Sequence, residues 1–267
     1  MYIAPIFFYE LKNNNNMEVN IKNLQKCFGE KVAVDIESFT IQHGDILGLV
    51  GNNGAGKTTL FRLLLDLLKA DKGNVMFTDR EGSMVDLDPT QSEEWKKLTG
   101  AYIDDGFLID FLTPDEYFDF IAKVNDVSVE QSIIPQSEEE VDNDSLSGML
   151  RHLAASEIFG VKKLIRDLSA GNKQKVGMIE ALLARPQLLI LDEPFNFLDP
   201  SSQNILKKII TKYHEETGAT IIISSHNLQH TVEVSNRIAL MEHGKIIKDL
   251  SNENGRAEQE LEDYFRV

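Results

Sequence analysis

Only one cysteine, Cys27, occurs in the 267 residues, so no internal disulfide can form and a reducing compartment fits best. Long apolar runs are also missing. No stretch approaches the ~20 residues that cross a bilayer as a helix, so the chain is not expected to span a membrane alone. Positive charge is scarce: 27 lysines and arginines face 43 aspartates and glutamates, a formal charge of −16. Phosphate backbones demand dense cationic surface, which argues against free nucleic acid as a partner and leaves room only for a local cationic site. The opening "MYIAPIFFYELKNNNN" has an apolar patch with no basic residue ahead of it, unlike a secretory signal. Residues 1–16 are read as a disordered or loosely docked extension. No internal repeat is seen, so one copy of the domain is expected and not two.

What is present has ordinary globular composition and enough length for a large core. "MEVNIKNL" and "VAVDIESFTIQ" alternate apolar and polar residues as half-buried strands do. "DILGLVG", "PQLLILDEP" and "ATIIISSH" are continuous apolar runs of buried-strand length, and "GNVMFTD" and "TGAYIDD" are shorter strands. Residues 57–70 are expected to be helical with Leu60, Leu63, Leu64, Leu67 and Leu68 on one face, and 201–216 with Ile205, Leu206, Ile209, Ile210 and Tyr213 inward. "RIALMEHGKII" reads as a hairpin turning at His243-Gly244. Residues 114–185 are mainly helical, interrupted by the acidic "QSEEEVDNDS" at 136–145, a solvated loop. This order implies an α/β domain with a helical insertion near 110–175.

The turn in "VGNNGAGKTTLFRLLL" fits G-x-x-x-x-G-K-[ST] through Gly51, Gly56, Lys57 and Thr58. Glycines let backbone N–H groups of Asn52, Asn53, Gly54, Ala55 and their neighbours curl round a phosphate, and a helix N-terminus adds a favourable dipole. Lys57 reaches the β and γ phosphates, the Thr58 hydroxyl ligates Mg²⁺, and Thr59 continues the N–H row. The strand-turn-helix setting decides for a nucleotide site over a plain connection. In "LLILDEP", Asp192 and Glu193 follow an apolar strand at its carboxyl end, where ligands bind in parallel sheets. Asp192 then holds Mg²⁺ through water and Glu193 faces the attacking water.

From about residue 18 to 250 the chain resembles the nucleotide-binding subunit of an ATP-binding cassette (ABC) transporter. Beyond the two phosphate motifs, the resemblance rests on "LSAGNKQKV", "FLD" and "SSH" in the family's order. It implies a P-loop NTPase cassette, 17–250, with a RecA-like parallel-sheet core, an N-terminal antiparallel β subdomain and the helical insertion; 251–267 is left as a C-terminal tail. Leu168, Ser169 and Gly171 match the family signature, with Ala170 and Asn172 as departures; the resemblance implies that this segment closes over ATP held by a second cassette. Asp199 matches the loop touching that partner, and His226 the switch histidine at the γ-phosphate. Phe28 lies where the family has a ring stacking on adenine; a core phenylalanine is the other reading. Asp104 falls where a metal-contacting glutamine is usual. Gln174-Lys175 continues the signature in exporter-type form. The resemblance thus implies an ATPase using ATP and Mg²⁺, paired with itself or a similar chain. A separate membrane permease holds it on the inner face of the cell membrane, and export is the expected direction. Rival readings are a soluble ATPase of translation or assembly, or an adaptor that binds ATP without hydrolysing it.

Overall fold

The computed structural model describes residues 17–79, 88–103, 107–127, 142–252 and 256–265. Expectations for residues 1–16, for Asp104 and for the acidic segment through 141 lie outside these. The main sheet has six strands in the order β5-β6-β7-β3-β8-β9: β3 (Ile46–Val50), β5 (Thr99–Tyr102), β6 (Leu188–Leu191), β7 (Thr220–Ser225), β8 (Arg237–Glu242) and β9 (Lys245–Ser251). The first five are parallel and β9 returns antiparallel to β8. A three-stranded antiparallel sheet, β2-β1-β4, is built from β1 (Met17–Phe28), β2 (Lys31–Ile41) and β4 (Lys72–Asp79).

The apolar runs are continuous because both faces of the main sheet are covered. Leu189, Leu191, Ile221 and Ile223 face a core shared with α2 (Pro114–Val124), α3 (Leu146–Ala154), α4 (Ala170–Leu183) and α5 (Pro200–Thr217). Their neighbours Leu188, Ile190 and Ile222 face a second core with α1 (Lys57–Leu64) and the antiparallel sheet. The Thr220 hydroxyl joins the two sheets, donating to the Met17 carbonyl at 2.6 Å while accepting from Gly44 N at 3.0 Å. Helix α3 opens behind the N-cap Ser145, whose side chain accepts from Gly148 N.

Two expectations are corrected. The helix expected over 57–70 ends at Leu64: Leu65 is its C-cap, and Asp66 turns the chain at φ 51°. Leu68 still packs on the second core, but Leu67 is half exposed. The C-terminal stretch is more than a tail. It folds as α7 (Arg256–Phe265), with Ala257 and Leu261 buried against Val50, Ile238 and Leu240. The expected hairpin turns where both His243 (φ 47°) and Gly244 (φ 82°) are left-handed, the geometry of a two-residue turn. Its tip bridges two regions: Gly244 N donates to Ala55 O, and Gly244 O accepts from Asp35 N, each at 2.8 Å.

Candidate functional site

Strand β3 delivers the glycine turn and α1 leaves it. Gly56 stands at φ 115°, and a Cβ there would lie 2.3 Å from the Ala33 carbonyl oxygen, so only glycine fits. Gly56 is also the N-cap of α1 and brings no side-chain acceptor to its first turn. Lys57 is buried, its Nζ donating to Gly51 O at 2.6 Å and lying 3.4 Å from Glu193 Oε1. Thr58 Oγ1 donates to Asp192 Oδ2 at 2.6 Å.

The carboxylates come from the adjacent strand system. Asp192 N continues the ladder beyond β6 by donating to Tyr102 O at 2.8 Å. The Ser224 hydroxyl, at the end of β7, donates to Asp192 and accepts from Glu193 N at 2.9 Å, pinning both acidic residues. Burial pushes the Asp192 carboxyl up from its ordinary range, against the opposing pull of the Ser224 and Thr58 hydrogen bonds. Glu193 sits at φ 49°, a conformation rare outside glycine and typical of functional sites. His226 closes the cluster, with Nδ1 2.8 Å from Glu193 Oε2 and its backbone N donating to that oxygen at 3.2 Å.

Of these residues, Gly56, Lys57, Thr58 and Glu193 line a cavity of about 330 Å³ that runs from Glu193 along Asn53–Thr59 to Phe28, Lys31 and Ala33. Phe28 is 52% exposed, which removes the core reading. Lys57, Thr58, Asp192, Glu193 and His226 are therefore brought together; Leu168–Asn172 and Asp199 do not line this cavity. Ser169 caps α4, accepting from Asn172 N at 3.3 Å, and Ser169 and Ala170 are exposed. Gly171 abuts the loop after Glu193, where a Cβ would lie 2.7 Å from Phe197 O. Asp199 caps α5 through Ser201 N and Ser202 N.

Sequence reasoning missed Ser224, and it placed Gln174 in the signature without its structural bond. Ser224 lies inside the quoted "SSH", so a hydroxyl two residues before the histidine was the available signal. Gln174 is buried and donates from Nε2 to Pro194 O at 2.5 Å, fixing the start of α4 to the segment behind Glu193. Among the described residues, no three His, Cys, Asp or Glu side chains form a metal cage. The hydroxyl of Thr58 and the carboxylate of Asp192 instead form an all-oxygen pair of the sort that holds Mg²⁺ together with substrate phosphates.

Comparison with known proteins finds likenesses over most of the chain. The family model described as ABC transporter matches residues 34–196, more than half of the chain. The lantibiotic transport ATP-binding protein SrtF of Streptococcus pyogenes is 30% identical over 91% of this chain and 95% of its own length. The tungstate uptake system ATP-binding protein TupC of Peptoclostridium acidaminophilum is 27% identical over 86% of this chain and 97% of its own. A solved ATP-binding cassette, a dimer in a post-hydrolysis state bound to ADP and Pi, superposes with TM-score 0.69. It has 20% identity and covers 88% of this chain and 99% of that one, a likeness of fold.

Proposed function

Given that this chain belongs to the ABC transporter family as an ATP-binding protein, we propose which residues run its ATPase and what it drives. Binding of ATP and its hydrolysis coupled to transport come with the family. The observation that carries the assignment is the convergence of Lys57, Asp192, Glu193 and His226 on one side of the glycine turn.

The N–H groups of residues 54–59 and Lys57 Nζ hold the triphosphate and stabilise the charge on the transferring phosphoryl group. Thr58 and Asp192 would hold Mg²⁺, which when bound neutralises charge on the β and γ phosphates. Glu193 orients a water whose oxygen bonds to the γ-phosphorus; the bond to the β–γ bridging oxygen breaks, and Glu193 takes the water's proton. ADP and inorganic phosphate leave. His226 holds Glu193 through Nδ1, and as the family's switch histidine it is assigned to the γ-phosphate.

A second copy of this chain, or a similar one, places its Leu168–Asn172 segment over the ATP, with Asp199 near the boundary. The helices of the 110–160 region, α2 and α3, are the part that moves and meets a membrane permease, which keeps the chain on the inner face of the membrane. No described helix is long and apolar enough to cross the bilayer. We assign the direction as export, on the Gln174-Lys175 form of the signature. The relatives' names, one for lantibiotic transport and one for tungstate uptake, support transport and do not favour a soluble translation or assembly factor.

Phosphate release per molecule should rise with protein concentration as dimers form, and should require Mg²⁺. A rate per molecule independent of concentration would refute the shared site. A multi-span permease recovered with the chain from solubilised membranes, reconstituted with ATP on the cassette side, then tests the direction.

A further inference from the structure

Phe28 is held in place by residues that stand outside the cavity. It pairs with Lys31 across the β1–β2 ladder, and both line the cavity. Lys26 lies two residues back on β1, across the irregularity between Lys26 and Cys27, with its Nζ over the Phe28 ring and 5.7 Å from its centroid. That ammonium is anchored, 3.0 Å from Asp71 Oδ1, and its side chain is only 14% exposed. The other Asp71 oxygen accepts from Cys27 N at 2.7 Å. One carboxylate therefore fixes both the cation and the backbone between Lys26 and Phe28. The two hydrogen bonds, first from Cys27 and then from Lys26, also hold the Asp71 carboxyl below its ordinary range. Neither Lys26 nor Asp71 lines the cavity.

We propose that Lys26 and Asp71 are positioning residues for the nucleotide base: they clamp the Phe28 ring so that it is a preformed stacking surface. The proposal rests on the reading of Phe28 as the adenine platform. A ring half exposed at a strand end otherwise loses rotamer freedom when a base stacks on it; a cation anchored beside the ring removes that freedom beforehand. Stacking touches only the base, so the clamp acts on the base and leaves the triphosphate alone.

The test compares two ligands on the full chain: ATP, and inorganic tripolyphosphate, which fills the glycine turn but carries no base. Lys26→Met is expected to weaken ATP about three- to fivefold, the scale of an exposed cation–π contact, with tripolyphosphate unchanged. Asp71→Ala should behave likewise, and Lys26→Arg should restore the wild-type ratio of the two affinities. Equal weakening of both ligands in Lys26→Met would mean a general disturbance and would overturn the clamp. If Phe28→Ala lowers the ratio and Lys26→Met does not, the clamp fails while the platform reading survives. An unchanged ratio in Phe28→Ala sinks the platform reading itself and the clamp with it.

Discussion

Helices α1 and α5 each follow a parallel strand of the main sheet, yet their first turns are completed in opposite ways. At α5 the chain satisfies itself: Asp199 accepts from Ser201 N at 2.9 Å, Ser202 N at 3.1 Å and the Ser202 hydroxyl at 2.6 Å. At α1 the cap is Gly56, which has nothing to offer. A helix start whose N–H groups are answered by its own carboxylate has little use for an anion, while an uncapped one in a glycine turn is a ready anion site. The same fold therefore carries one helix start that adds to stability and one that adds to affinity. Mutations at the two should separate along that line.

The largest effect is expected where the open turn meets its carboxylate. Glu193→Gln should lower phosphate release by roughly 10²- to 10⁴-fold while ATP titration shows retained binding and the closed dimer accumulates. Wild-type turnover in this variant would remove Glu193 from the mechanism.

Away from the open turn, Glu180 on α4 sharpens the stability side. It lines an apolar cavity of about 360 Å³ beside Tyr117 and Trp95, and burial pushes its carboxyl up to about 7. A carboxyl with a raised folded-state value favours the fold while protonated, so that advantage is complete below its ordinary value and lost as pH rises through about 7. Glu180→Gln should remove up to about 3 kcal/mol of the pH dependence between pH 4 and 8. Denaturant melts at several pH values would show wild type losing stability toward alkaline pH and the variant holding it; parallel curves would contradict the assignment.

Lys57→Ala attacks the ligand side alone. Its expected signature is ATP affinity reduced about 10- to 100-fold, the scale of hydrogen bonds to charged groups, read by calorimetric titration. The smallest effect belongs to the closed helix start. Asp199→Ala should cost about 1 kcal/mol in denaturant melts, as lost N-caps do, with ATP affinity of the dilute monomer unchanged. Lost affinity there would erase the contrast between the two helices.

Much of this was legible in the sequence because the relevant signals are local. The glycine spacing, the apolar runs covered on both faces and the acidic pair after β6 are all set within a few residues. The end of α1 was not. Leu67 and Leu68 prolong the leucine periodicity past the point where Asp66 breaks the backbone, and periodicity does not register one left-handed residue. The bonds made by Ser224 and Gln174 were hidden for another reason. Their partners, Asp192 and Pro194, are brought near by the sheet and by α4 and are distant in sequence. Among the described side chains of helix α7, two are buried, Ala257 and Leu261, and acidic residues stand between and around them. Asp199 showed the limit of motif reading: its match to the family loop and its role as an N-cap occupy the same residue.

The Thr220–Met17 hydrogen bond joins positions 203 apart, and it sets a schedule for the newborn polypeptide. The first strand emerges from the ribosome long before the seventh, and until then its small sheet has no main-sheet strand β7 to dock on. Long-range contacts of this sort form late, and apolar surface left open in the interval invites misassembly. A product released short of residue 220 cannot seat its own beginning. Premature termination should therefore yield prey for quality-control proteases instead of a slow enzyme.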